Sequence, residues 1–240
     1  MSEIRVWVDG HLVDADAPAI RAVDHGVTVG DGCFETAKVL DGEVFAMSRH
    51  LRRMDRSLRG LGLPPADHDI IRAGAKAVLA AGEPISFGRL RWTVTGGAGP
   101  LGSDRSGSPL TYIVTAGPQP EPPPGGSVVT VPWTRNERAA SAGLKTTSYA
   151  DNVVALAYAK ERGAVEALFA NTRDELCEGT GSNVFVVVAM LDGFRKLRAH
   201  LVGPGIETVR TIQRQEAYAI LDIEGDLLKI HVNLHLQFTP

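Results

Sequence analysis

Two short runs in the second half of the chain hold residue types that could do chemistry. Leu144-Lys145-Thr146-Thr147-Ser148-Tyr149 sets a lysine between an apolar approach and a hydroxyl-rich stretch. Just over thirty residues on, Glu175-Leu176-Cys177-Glu178-Gly179-Thr180-Gly181-Ser182-Asn183-Val184-Phe185 sets a glutamate at a turn before an apolar strand. A neutral lysine amine condenses with a carbonyl to form a Schiff base. A carboxylate beside a heteroaromatic nitrogen keeps that nitrogen protonated, so the ring can accept electrons. Taken singly, each is an ordinary residue: a lysine before a helix is usually solvated, and so is a turn glutamate.

The elements that must position these groups can be read from periodicity. Ile4, Val6 and Val8 alternate with Arg5, Trp7 and Asp9, the two-residue period of a strand. Asp9-Gly10 and Asp41-Gly42 are turn signals, and the second fits a hairpin joining residues 36–40 to 43–47. Met47, Leu51, Met54, Leu58 and Leu61 recur at helical spacing, with Ser48 as the expected cap and Gly60, Gly62 and Pro64 as the stop. A second helix is predicted over residues 69–81, then strands over 89–95 and 110–116 around the loop Gly96-Gly97-Ala98-Gly99. That loop lacks the lysine and following helix of a phosphate loop.

The proline- and glycine-rich run at residues 117–126 cannot continue a helix or a central strand. It predicts a domain boundary: residues 1–118, a linker at 119–126, and a second domain over 127–240, of which 189–240 reads as atypical. A strand at 128–133 precedes Lys145. Ser148 to Asp151 has capping-box spacing for a helix running to about Arg162. Strands follow at 166–170 and 183–188, and Ile230, Val232, Leu234, Leu236 and Phe238 alternate as a last strand. His231 and His235 on it are separated by roughly 13 Å, too far to share a metal, and no metal is expected.

The bulk numbers exclude several classes. A net charge of -3 argues against a nucleic-acid or membrane-surface partner. No apolar run approaches the roughly 20 residues that cross a bilayer, and the N-terminus alternates charged with apolar residues rather than forming a leader. Cys33 and Cys177 are too few for a disulfide framework; Cys177 reads as a small packed residue. A cytoplasmic protein is the default expectation.

Four stretches, in order and at matching spacing, resemble one family. They are Asp24-His25-Gly26 through Gly30-Asp31-Gly32-Cys33-Phe34-Glu35-Thr36; His50-Leu51-Arg52-Arg53-Met54 with Ser57; Leu144-Lys145-Thr146 with Tyr149 and Asn152; and Glu178-Gly179-Thr180 with Asn183-Val184-Phe185. The chain resembles the class IV aminotransferases, the fold-type IV pyridoxal 5'-phosphate (PLP) enzymes, over residues 3–188. The resemblance implies an α+β fold: a small α/β domain plus a larger barrel-like domain, here with a divergent or shortened C-terminus. It implies PLP as cofactor, Lys145 as Schiff-base lysine and proton carrier, and Glu178 on the pyridine nitrogen. Arg53 would bind the phosphate, Tyr149 would lie near the ring, and Phe34, Glu35 and the turn at 29–32 would line the substrate side. It further implies a small-molecule substrate and a homodimer.

Beyond residue 188 the nearest counterpart of the family's phosphate-binding Gly-Ile/Val-Thr-Arg segment is Gly205-Ile206-Glu207-Thr208-Val209-Arg210. It assigns Ile206 and Thr208 to the phosphate, with Glu207 inserted between them, where a carboxylate repels a dianion. A substrate carboxylate needs a cation, and Arg91 and Arg105, near the glycine loop, are the candidates. The wording around Gly30 and Lys145 looks most like aminodeoxychorismate lyases. The alternatives are a branched-chain or D-amino-acid aminotransferase, and a relative whose altered tail has lost the cofactor.

Overall fold

A computed structural model describes residues 4–123, 125–184, 219–224 and 227–232 of the chain. Two compact units emerge: Met1–Glu121 with Leu144–Ser148, and Pro122–Gly143 with Tyr149–Pro240. The run carrying Lys145 thus belongs to the first unit although it lies beyond the proline-rich segment, because it pairs along a first-unit strand.

In the first unit, β1 (Arg5–Val8), β2 (His11–Val13), β3 (Gly32–Leu40), β4 (Glu43–Val44), β5 (Phe87–Thr95) and β6 (Thr111–Pro118) form one antiparallel sheet in the order β2-β1-β6-β5-β3-β4. Three helices join it: α1 (His25–Thr28), α2 (Met47–Leu61) and α3 (His68–Ala80). Along β5 the strand period is plain: Leu90, Trp92 and Val94 are buried, while Arg89 and Arg91 face out. Helix α2 answers with Leu51, Met54 and Leu58, and α3 with Ile71, Ala75 and Val78, all in one core. Each such side chain contributes about 1.5–3 kcal/mol by leaving water. At Gly74 a Cβ would lie 2.7 Å from Val114 and 2.8 Å from Trp7, so α3 reaches the sheet only through a glycine. The β3–β4 hairpin turns on Asp41 (φ 48°) and Gly42 (φ 80°), the paired positive φ of a type I′ turn.

Several local expectations give way to packing. In β1, Arg5 and Trp7 are buried with Val8, while Ile4 is exposed. Trp7 packs against α3, and the Arg5 guanidinium donates to Val78 O and Leu79 O at 3.4 Å each and to Glu83 O, satisfying carbonyls at the end of that helix. Ser48 does not cap α2; the N-cap is Ala46 in the left-handed region with no side-chain bond. The Ser148–Asp151 capping box does not form either. Its helix starts at Ala150 with Tyr149 as N-cap, Ser148 Oγ donates to Gly30 O at 3.2 Å, and Asp151 is drawn to Arg135.

The second unit holds β7 (Gly126–Arg135), α4 (Ala150–Glu161), β8 (Glu166–Asn171), β9 (Leu176–Gly179), β10 (Ala219–Glu224) and β11 (Leu227–Val232). The sheet order is β10-β11-β7-β8-β9, with β7 and β8 parallel and the other neighbours antiparallel. A parallel pair needs a crossover, which α4 supplies. Its contact face is small, Ala155 and Ala159 against Val129, Val131, Ala167 and Phe169, so helix and sheet pack closely. The two units together make an α+β fold. Residues 183 and 184 carry no strand, and the rest of the expected 183–188 strand lies outside the described residues. The expected tail strand coincides with β11 at residues 230–232. Residues 233–240, including His235, lie outside the described residues.

Candidate functional site

In the first unit, the backbone of Lys145 is fixed from two sides. Its N–H donates to Ser57 Oγ of α2 at 3.0 Å, and its carbonyl accepts from Phe34 N of β3 at 3.2 Å. Thr147 N continues the pairing to Gly32 O at 2.8 Å, with a bridge between Thr146 and Cys33. Leu144 seats on Gly60, where a Cβ would come within 2.6 Å of its side chain. The half-buried Lys145 then places Nζ 4.3 Å from the Phe34 ring centroid. Arg91 of β5 places its guanidinium 3.7 Å from the same centroid. Phe34 therefore gathers two cationic side chains by cation–π attraction.

Arg105 stands elsewhere. Its fork grips Asp31 at 2.7 and 2.6 Å, and it donates to Leu61 O at 2.9 Å and Gly62 O at 3.1 Å at the end of α2. A guanidinium so engaged ties the glycine loop to the helix C-terminus, where positive charge is favoured. Of the two arginines predicted for a substrate carboxylate, Arg91 is the one brought to Phe34.

Glu35, expected on the substrate side, is fully buried and turned to α2. Arg53 Nε and Nη2 bind its two oxygens at 2.6 and 2.5 Å, and His50 Nδ1 lies 2.7 Å from one of them. His50 in turn stands edge-on to Trp92 at 5.8 Å. Burial pushes the Glu35 carboxyl up, but the hydrogen bonds and charges of Arg53 and His50 together outweigh it and hold it below the usual range. Arg53 spends one edge of a five-donor guanidinium on this bond. The buried Cys33 thiol, pushed up to about 12 by burial and then by Asp31 and Glu35, is no nucleophile.

In the second unit, Glu178 on β9 pairs in register with Phe169 of β8, and its carboxylate is half-exposed. Arg135, at the end of β7, stands 2.8 Å from it through Nε. The same guanidinium lies 4.4 Å from the Phe169 ring centroid and donates to Asp151 at 3.1 Å and to Asn152 Oδ1. Asn152, buried at the start of α4, donates onward to Thr180 O at 2.7 Å. Tyr149 occupies the N-cap position of that helix and accepts from Val153 N at 3.1 Å through its carbonyl. Cys177 is raised by burial first and by the Glu178 charge next, so it too stays a thiol. Ile206 and Thr208 lie outside the described residues.

Arg135, and any role for Asn152, were missed by sequence reasoning. Their partners are distant in the chain, and no local pattern marks them. The donor set present fits PLP chemistry: a half-buried primary amine, an arginine fork for a phosphate, and a half-exposed carboxylate for a ring nitrogen. Among the described residues no group of three or more His, Cys, Asp or Glu side chains could hold a metal ion, and no helix is long and apolar enough to cross a membrane.

Comparison with known proteins supplies the family. The profile of amino-transferase class IV matches residues 32–222. A putative branched-chain-amino-acid aminotransferase of Methanocaldococcus jannaschii is 28% identical over 193 residues, covering 77% of this chain and 65% of its own. The bifunctional aminodeoxychorismate lyase / D-amino acid transaminase of Mycobacterium tuberculosis is 28% identical over 207 residues, covering 75% of this chain and 65% of its own. The crystal structure of 4-amino-4-deoxychorismate lyase from Pseudomonas aeruginosa superposes with a TM-score of 0.62 at 30% identity, over 74% of this chain and 65% of that one. The chain thus spans about 65% of the length of these relatives. With four-fifths of its length matched to the family profile, this chain belongs to the class IV aminotransferases.

Proposed function

We propose that the protein is a PLP-dependent aminodeoxychorismate lyase, converting 4-amino-4-deoxychorismate to 4-aminobenzoate and pyruvate. The observation that carries the PLP part is Lys145, its backbone hydrogen-bonded from two sides and its amine set against the Phe34 ring, which Arg91 also contacts. The lyase part is supported by the Pseudomonas aeruginosa and Mycobacterium tuberculosis relatives, both named for that activity. A solved Mycobacterium tuberculosis aminotransferase in its PLP-bound form, 28% identical with a TM-score of 0.62, supports the cofactor.

When bound, PLP supplies a carbonyl for an amine and a ring that accepts electrons. Lys145 Nζ takes the proton from the amine-bearing carbon of the substrate. The enolpyruvyl ether then departs, gains that proton and leaves as pyruvate, and aromatisation drives the step. Arg53 would hold the cofactor phosphate. Glu178 keeps the ring nitrogen protonated. Arg91, on the same aromatic ring as Lys145, receives a substrate carboxylate. The reading carries a homodimer with it, which light scattering coupled to gel filtration tests.

An aminotransferase is the second reading, favoured by the Methanocaldococcus jannaschii relative at equal identity. Purified protein with PLP is incubated with 4-amino-4-deoxychorismate, and separately with D-alanine or L-leucine plus 2-oxoglutarate. 4-Aminobenzoate and pyruvate in equal amounts, absent in Lys145→Ala, are the expected result. A keto acid from the amino donors without 4-aminobenzoate supports the aminotransferase. Neither product overturns both.

A further inference from the structure

We infer that Glu166 is a positioning residue for Glu178. Its carboxylate locks the turn at residues 179–182, and so sets how Glu178, immediately before that turn, presents its own carboxylate. The inference rests on the proposed role of Glu178 and goes beyond it.

Glu166 opens β8, beside the end of β9. Its Oε1 accepts from Ala167 N at 2.8 Å, from Thr180 N at 3.0 Å and from Thr180 Oγ1. Its Oε2 accepts from Ser182 Oγ at 2.6 Å and Gly181 N at 3.2 Å. All five groups around it are donors, and an ionised carboxylate is the side chain that offers only acceptors. Burial pushes the Glu166 carboxyl up, but these hydrogen bonds outweigh it and hold it below the usual range. From the opposite end of the same residue, Asn152 Nδ2 donates to Thr180 O at 2.7 Å. Thr180, buried, has both its backbone N–H and its backbone carbonyl fixed by side chains.

Two consequences follow for the chemistry. Successive backbone N–H groups in a turn form a ready anion site, and here Glu166 fills it. Those N–H groups are therefore committed, those of Thr180 and Gly181 to Glu166 and that of Thr180 also to Ala167 O at 3.2 Å. Glu178, one residue before Gly179, is held at its side chain by Arg135 and is followed by a turn hydrogen-bonded to Glu166 and Asn152.

The test uses the full chain with Glu166→Gln, which puts an NH2 against donors, and with Ser182→Ala, which removes one donor and leaves the carboxylate. Amide hydrogen exchange over residues 176–184 is measured without PLP. PLP affinity and the visible spectrum of the bound cofactor are measured alongside. We expect faster exchange in that segment for Glu166→Gln, PLP binding weakened about tenfold, the scale of one lost charge-assisted hydrogen bond, and a shifted absorption band. Ser182→Ala should move the same readouts less. Exchange that rises while affinity and spectrum stay as in the wild type would reduce Glu166 to a fold residue and overturn the inference. Unchanged exchange in both variants would overturn it at the level of the turn. If the wild type itself binds no PLP, the functional reading falls, and the clamp stands or falls on exchange alone.

Discussion

Each unit has an ion pair that includes one of the proposed cofactor-binding residues, and the two pairs are built with opposite polarity. In the first unit the carboxylate is the hidden partner: Glu35 is 0% exposed and Arg53 40%. In the second unit the cation is the better covered: Arg135 is 22% exposed and Glu178 50%. The first unit thus holds a cation forward on a buried anion, and the second holds an anion forward on a covered cation. The proposed function asks for one group of each sign, a cation for a phosphate and an anion for a protonated ring nitrogen. A charge facing water is oriented poorly by itself, and a partner behind it restrains it.

This comparison predicts that the supporting residue of each pair matters for stability and the forward residue for the cofactor. Glu35→Gln should have the largest effect on stability. It strips a buried partner from Arg53 and His50 and should cost about 2–4 kcal/mol in urea unfolding, less than a fully buried pair because Arg53 is part-exposed. Arg135→Gln should cost about 1–2 kcal/mol by freeing Glu178 and Asp151, with PLP affinity falling as well. Glu178→Gln should leave stability within about 0.5 kcal/mol while removing the normal cofactor spectrum. If Glu178→Gln destabilises as much as Glu35→Gln, the distinction between supporting and forward groups is wrong.

Acid should act through the supporting carboxylate of the first unit and the turn carboxylate of the second. Glu35 and Glu166 both titrate below their unfolded value, near 4.3 in model peptides. Each therefore contributes stability that is present above about pH 4.3 and is lost as pH falls through the lower folded-state value. Unfolding free energy measured from pH 6 downward should fall less steeply in Glu35→Gln and Glu166→Gln than in the wild type. The smallest expected effects separate the two outer arginines. Arg105→Gln should loosen the glycine loop at a cost of about 0.5–1 kcal/mol, with KM little changed. Arg91→Gln should raise KM with stability unaltered.

The sequence showed strands, helices and candidate site residues, and it did so unevenly for physical reasons. β5 and α2 were legible because burial on one face forces a period of 2 or 3.6 into the residues. The helix starts were misread because Ser48 and Ser148 have cap-like spacing, yet Ala46 takes the left-handed turn into α2 and Ser148 bonds to Gly30. The first strand was legible but the burial of Arg5 in it was not, because only a helix end 73 residues away gives a buried arginine its acceptors. Lys145, Arg53 and Glu178 stand in recognisable local runs. The pairings that support them are not local: Glu35 meets Arg53 across 18 residues, and Glu166 meets Thr180 across 14. Pairing at such distances is decided by strand register, which no local pattern in one sequence carries.

The most direct test of the account is to trap the cofactor. Purified protein is mixed with PLP, its visible spectrum recorded, and the mixture reduced with borohydride and digested for peptide mapping. The account predicts a yellow absorption band and a phosphopyridoxyl group fixed on Lys145. A folded protein that gains no band, or that carries the label on another lysine, would contradict it.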